Sequence, residues 1–322
     1  MNCIIIFENT MGKKIIIALG GNALIKKNQT GTIHEQFANT RKVSSSIVTM
    51  IKHGWTPVIT HGNGPQVGAI LLQNNATRDT IPPMPLGVCV AESEGLIGYM
   101  IQQCLKNAMT KKGINNHVGT IITQVLVDKN DPSFSNPTKP IGPYYPEEKI
   151  GQLKEDGYNV TKQQKGYRIV VPSPDPLKII EGPIIKTMLE QNITVIAAGG
   201  GGMPVIQKKD WGLDGVEAVV DKDLASEKLA ESIQADTMLI LTNVEHVYLK
   251  FNTDNQQKLT AITLEEIKKH YDNDEFPPGS MGPKILAAIR FLEWGGTKVI
   301  ISDVDHAWEA LQGKTGTQII KS

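Results

Sequence analysis

The sequence predicts an α/β protein, with an open, mostly parallel sheet sandwiched between helices. Three observations carry this. Short β-rich apolar runs alternate with helix-period segments along the 322 residues. Several of those runs are continuously apolar, as in strands covered on both faces. Glycine-rich stretches follow three of them, where a doubly wound sheet meets its ligands beyond the carboxyl ends of its strands.

The apolar runs place strands at 14–19, 55–60, 118–127, 193–198, 237–242, 297–301 and 317–320. Helix-period segments fall between them, at 34–52, 64–76, 87–111, 181–191, 222–234, 264–271, 282–294 and 305–312. Gly54 and Gly113 follow basic turns, as helix stops do. Thr263 and Glu266 have the spacing of a capping box. Ile285, Ala288, Ile289 and Leu292 share one helical face, and 254–257 reads as a hairpin tip. One region breaks the rhythm. From Lys129 to Pro176 the chain is dense in Pro, Gly, Asn, Lys and Tyr. An irregular stretch of that length reads as a functional lid or a small inserted subdomain. Tyr144, Tyr145, Tyr158, Tyr167 and the strand-like "YRIVV" favour an ordered one.

Composition narrows the function classes. Lys+Arg and Asp+Glu both number 33, so the net charge is zero, which argues against a general nucleic-acid binder and leaves room for a local basic site. The length allows one large domain or two lobes. Cys3, Cys89 and Cys104 form no CxxC pair and are too few for a disulfide scaffold or zinc site, which points to a reducing, cytoplasmic setting. Cys89 and Cys104 read as small buried hydrophobes. The start of the chain lacks the basic region of a signal peptide. No run reaches the roughly 18 apolar residues of a membrane helix. Residues 1–12 read as an extension, with Met11 an alternative start.

The three glycine stretches are Gly20-Gly21-Asn22, Gly62-Asn63-Gly64 after His61, and Gly199 to Gly202. Glycine there lets backbone approach a ligand, and successive N–H groups can form an anion nest at a helix start. Two standard nucleotide motifs fail. "GNGPQVG" has Val67 where a dinucleotide fingerprint needs glycine, and "GKT" at 313–315 has Trp308 where a P-loop needs glycine. Three lysines stand in unusual settings. Lys139 lies between Thr138 and Pro140, Lys222 between Asp221 and Asp223 at a helix start, and Lys284 in the first turn after "FPPGSMGP". Lysine in a first turn is disfavoured unless an anion neutralises it. Glu92 and Glu94 read as a solvated helix edge. His61 fits a structural role beside its glycine loop as well as a ligand contact. The histidines show no metal-ligand spacing, and no GxSxG or Cys/His signature points to covalent catalysis.

Taken together, "ALGGNAL", "HGNGPQVG", "NPTKPIGP", "VVPSPDP", "GGGGMPV", "VDKDLASEKLA" and "PGSMGPKILAAI" resemble carbamate kinase, a member of the amino acid kinase superfamily. The resemblance runs from Lys13 to about Ile320. It implies a three-layer αβα sandwich with a small protruding subdomain at about 129–176, a carbamate- and phosphoryl-binding lobe over 13–215, a nucleotide lobe over 216–322, and a homodimer. It implies Mg²⁺-dependent phosphoryl transfer between ATP and carbamate, commonly run toward ATP in arginine degradation. It assigns Gly20, Gly21, Asn22, Gly62, Asn63 and Gly64 to carbamate and the transferred phosphoryl group. Lys139, Lys222 and Lys284 match the functional lysines, and Asp223 the aspartate that holds them. Asn243, Val244, Tyr248, Gly279, Ser280, Met281 and Lys284 fall in segments that shape the nucleotide pocket, with Mg²⁺ arriving on the nucleotide. A sister kinase acting on an amino acid or nucleoside monophosphate, and a nucleotide sensor without turnover, stand as the competing readings.

Overall fold

The computed structural model describes residues 12–26, 28–163 and 165–321, so Cys3 and all of the expected N-terminal extension except Gly12 lie outside the described residues. Among the described residues, the strands form an eight-stranded sheet, a four-stranded sheet, a three-stranded sheet and a two-stranded hairpin. The large sheet has Lys13–Leu19 near its middle, paired in parallel with Trp55–His61 on one side and Thr237–Thr242 on the other. Parallel neighbours continue outward to Thr194–Ile196 and Val118–Thr120, and to Lys298–Asp303 on the opposite flank. Thr317–Ile320 joins antiparallel to Lys298–Asp303.

The continuous apolar runs follow from two covered faces. Ile16, Ala18, Val58, Met238 and Ile240 pack with residues of the helices Gly182–Glu190, Lys222–Ile233 and Met281–Trp294. Their neighbours Ile15, Ile17, Leu19, Ile59, Leu239 and Leu241 pack with Ile33–Lys52, Leu86–Lys111 and Ala307–Leu311. Alternate side chains of one strand thus serve opposite helix layers, so most positions are apolar, and a polar one such as Thr60 is buried with a partner, Ser226 Oγ at 2.6 Å. The result is the three-layer sandwich that the sequence predicts. The capping box at Thr263 is present, with Glu266 N–H donating to Thr263 Oγ1 and Thr263 N–H to Glu266 Oε2.

Two expectations need correction. The run 118–127 is not one strand. It splits into Val118–Thr120 in the large sheet and Gln124–Val127 in the four-stranded sheet. The break falls at 121–123, where Thr123 donates its N–H to Glu94 Oε2 rather than to a neighbouring strand. The expected strand 193–198 ends at Ile196, because Ala198 turns into the left-handed region at φ 50°.

Within 129–176, the described residues Lys139–Tyr145, Gly166–Val171 and Asn159–Gln163 form an antiparallel sheet. Ile141, Ile169 and Val171 of this sheet, with Leu153 of the short helix Ile150–Glu155, share a core with Val67 and Leu71 of the helix Gly64–Ala76 and with Leu86, Cys89 and Val90. Contact with that helix is backbone to backbone: a Cβ on Gly68 would fall 2.0 Å from Gly142 Cα. The subdomain therefore sits directly on the helix that begins at Gly64.

Candidate active site

The carboxyl ends of the central strands carry the loops of interest. Gly20 N–H donates to Leu241 O at 2.8 Å, and Gly62 N–H to Leu19 O at 2.9 Å. These bonds draw the first two glycine stretches together, so that Gly62 lies against the backbone of Gly21. Gly21 opens a short 3-10 turn, Gly21–Ala23; Asn22 shares it by its backbone, while its side chain lies outside the described residues. Asn63 is the N-cap of Gly64–Ala76, yet its side chain makes no capping bond. It turns away and donates from Nδ2 to Ser93 Oγ at 2.8 Å. With Pro65 in the first turn, the N–H groups of this helix start are left to face an anion.

Facing these loops is the start of Lys222–Ile233. Asp221 caps it, accepting Asp223 N–H at Oδ1 over 2.9 Å. Asp221 Oδ2 pairs with Lys139 from the subdomain. Asp223 holds two ammonium groups, Lys222 at 2.6 Å and Lys284 at 3.1 Å. The three predicted lysines and Asp223 are thus brought together, with Asp221 as a fifth member that the sequence reading did not assign. Its signal was present, since Asp is a preferred N-cap directly before a helical segment.

The electrostatics are those of an anion site. Three ammonium groups meet two carboxylates in a buried setting. Burial alone would raise the Asp223 carboxyl, but the Lys222 and Lys284 ammonium groups outweigh it and hold it well below the usual carboxylate range. Burial lowers Lys222, helped by the charge of Lys284, whereas for Lys284 the pull of Asp223 and Asp221 overcomes burial and raises it. The two lysines shift oppositely although they share Asp223, because Lys222 is the more enclosed. The 2.6 Å approach of Lys222 is an ion pair outside hydrogen-bond geometry. Its Nζ is buried with no hydrogen-bond acceptor among the described residues. Such a donor suits a ligand oxygen. His61 is buried beside it, and burial, with a smaller push from Lys222, takes its imidazole down to about 4. It is neutral at physiological pH.

Next to the lysines lies a cavity of about 360 Å³. Asn243, Val244, Tyr248, Gly279, Ser280, Met281 and Lys284 all line it, joined by Phe251 and Phe276. Tyr248 and Phe251 lie side by side at a ring separation of 5.9 Å, tilted by 40°. A larger cavity, about 590 Å³, lies on the other side of Thr242 and Asn243 against Lys26 and Lys42. The smaller cavity is the one coupled to the lysine cluster, through the shared Lys284.

Residues 13–303 match the model of the amino acid kinase family. The chain belongs to that family. Within it, a carbamate kinase of Pyrococcus furiosus is 52% identical over 96% of this chain and 100% of its own length. Carbamate kinase 2 of Staphylococcus aureus is 48% identical over 96% and 99%. Among solved structures, carbamate kinase from Giardia lamblia bound to AMP-PNP matches at 42% identity and a TM-score of 0.89, covering 97% of this chain and 99% of that one. The amino acid kinase fold thus accounts for the large parallel sheet, and the likeness to carbamate kinases extends through the inserted subdomain.

Two site expectations are corrected. The third glycine stretch is buried rather than open to a ligand, packed behind Asn63 and Val220. Glu94 is not at a solvated edge. It is 2% exposed, because its helix turns that face toward Thr123 and Gly199 while Glu92 stays outside.

Proposed function

We propose that this site transfers a phosphoryl group reversibly between ATP and carbamate, running toward ATP from ADP and carbamoyl phosphate. The observation that carries the reading is the convergence of Lys139, Lys222 and Lys284 on Asp221 and Asp223, opposite two glycine loops and beside an aromatic cavity.

Phosphoryl transfer demands alignment and charge stabilisation more than covalent catalysis. The carbamate oxygen is already anionic, so no general base is required, consistent with a neutral, buried His61. In this scheme the N–H groups around Gly20, Gly21, Asn22, Gly62, Asn63 and Gly64 receive carbamate and the equatorial phosphoryl oxygens. Lys222 bridges donor and acceptor, Lys284 covers the β- and γ-phosphates, and Lys139 closes the carbamate end. Asp223 keeps Lys222 and Lys284 charged and aimed. Tyr248 and Phe251 offer faces to adenine, with Asn243, Val244, Gly279, Ser280 and Met281 shaping the rest of the nucleotide pocket. Among the described residues, no group of three or more ligand side chains could cage a metal ion. Mg²⁺ in this scheme is carried on the nucleotide phosphates as part of the substrate.

Functionally we divide the chain into an acceptor lobe over 13–215, with the subdomain as its lid, and a nucleotide lobe over 216–322. A cytoplasmic homodimer working in arginine degradation completes the reading. The free sheet edge at Val118–Thr120, beside exposed Leu96, Tyr99 and Ile122, suits the dimer contact. Light scattering on the purified chain tests that contact.

The decisive experiment is ATP formation from ADP, Mg²⁺ and carbamoyl phosphate, with acetyl phosphate as the control donor. ATP from carbamoyl phosphate alone supports the assignment. ATP from neither, in a protein that binds ADP, overturns it.

A further inference from the structure

The glycine run Gly199–Gly202 has no part in the transfer just described, yet it is buried and unusually shaped. Ala198 is left-handed at φ 50°, costly for a residue with a side chain, and Gly200, Gly201 and Gly202 follow at φ 65°, 97° and 80°. The run is wedged between two parts of the site. A Cβ on Gly200 would fall 2.0 Å from Asn63 Nδ2, and one on Gly201 would fall 2.3 Å from Val220 O, just before Asp221 and Lys222.

Two neighbours on the helix Leu86–Lys111 grip this wedge. Ser93 Oγ donates to Val90 O at 2.6 Å and accepts Asn63 Nδ2 at 2.8 Å. Glu94 Oε2 accepts Thr123 N–H at 2.9 Å, and the Glu94 side chain packs against Gly199, where an added Cβ would fall 3.0 Å from Glu94 Cγ. Thr123 extends the grip, since its Oγ1 accepts Ala198 N–H at 2.9 Å and its carbonyl accepts Met203 N–H at 2.8 Å. Through Thr123, Glu94 therefore holds both ends of the glycine run. Its Oε1 is buried with no hydrogen-bond partner among the described residues. Burial pushes the carboxyl well above its usual range, against the pull of the Thr123 and Gly199 N–H groups and with a smaller push from Glu181.

We propose that Ser93 and Glu94 are positioning residues for phosphoryl transfer. Ser93 sets the Asn63 side chain directly. Glu94 sets the Gly199–Gly202 wedge, which in turn spaces the Asn63 loop from the start of the Lys222 helix. What the site requires of Glu94 is a hydrogen-bond acceptor for Thr123 N–H, not a charge. The inference rests on the phosphoryl-transfer reading of the site.

The test compares E94Q, E94A and S93A with the wild-type chain. The readouts are kcat, KM for ADP and for carbamoyl phosphate, thermal midpoint, and amide hydrogen exchange of peptides covering 61–67 and 198–203. E94A is expected to lower kcat by about 10²-fold, the scale of a misplaced reacting group. Its KM for ADP should hold, because the nucleotide cavity touches neither Glu94 nor the wedge, and exchange should quicken in 198–203. E94Q should keep wild-type kcat, since an amide oxygen accepts the same Thr123 N–H. S93A should lower kcat with an unchanged KM for ADP. Wild-type kcat and exchange in a folded E94A overturn the proposal. So does parallel loss of kcat and ADP affinity in both E94A and E94Q, which marks a merely structural role. If E94A does not fold, wild-type kcat in S93A overturns it. A wild-type chain that makes no ATP from carbamoyl phosphate sinks the functional reading instead, and hydrogen exchange still decides whether Glu94 holds the wedge.

Discussion

Lys139 and Asp221 form an ion pair across 82 positions of sequence, tying the first strand of the inserted subdomain to the cap of the helix that carries Lys222. One carboxylate thereby fastens the subdomain and caps the start of the helix. Asp221→Ala is expected to lower stability by about 1 kcal/mol through the lost cap. It should also lower turnover more than a surface substitution does, because the lid loses its tether. Denaturant midpoints and steady-state rates measured together check both effects; an unchanged rate would separate the lid from catalysis.

Removing Lys222 leaves Asp223 still paired with Lys284, so the fold should survive. Lys222→Ala is expected to cut kcat by about 10²–10³, the loss of one preorganised charge. Normal turnover in the folded variant would sink the catalytic role.

Asp223→Asn acts in the other direction. It leaves the two ammonium groups of Lys222 and Lys284 enclosed without their direct partner, with Asp221 as the remaining countercharge. Breaking a buried pair in this way costs about 3–5 kcal/mol. Urea unfolding should show a drop of that order, and near-wild-type stability would mean that solvent reaches the cluster freely.

Tyr248 and Phe251 bear on the nucleotide alone. Tyr248→Ala should raise KM for ADP by roughly 10-fold, the scale of one lost base–aromatic stack, with kcat little changed. A fall in kcat at constant KM would place the adenine elsewhere.

A pH effect is expected from Glu227, buried on the helix of Lys222. Burial raises its carboxyl from 4.5 to about 7, opposed by Lys228 and Arg290 and aided by Glu231. Between those values the folded chain holds a proton that the unfolded chain has released. Its contribution is therefore complete below about 4.5 and is lost as pH rises through about 7. Thermal midpoints at pH 5 and pH 8 should differ less in Glu227→Gln than in the wild type. Equal differences would show that Glu227 does not titrate in this range.

The central sheet was legible from sequence because its cause is local. A strand buried on both faces is apolar along its middle, and 14–19 and 237–242 carry that mark in Ile15 to Leu19 and Met238 to Leu241. The helix starts at Lys222 and Leu264 were legible for the same reason, since a cap is chosen by residues within one turn. The glycine loops and the lysines could be named from their residue types and settings.

What the tertiary structure alone decided is everything set by partners distant in sequence. The strands of 139–171 pair antiparallel in a stretch rich in Pro and Gly, and their burial comes from the helix Gly64–Ala76 rather than from their own pattern. Glu94 looks like Glu92 in sequence; what separates them is that one faces Thr123 and Gly199 and the other faces water. Asp221 could be read as a cap, but its pairing with Lys139 depends on where the lid folds back. By itself the sequence determined most strands and helices of the central sandwich, because periodicity and capping act within a few residues. The fold determined which charges meet and which glycines are buried, because burial and Coulomb energy depend on distance in space.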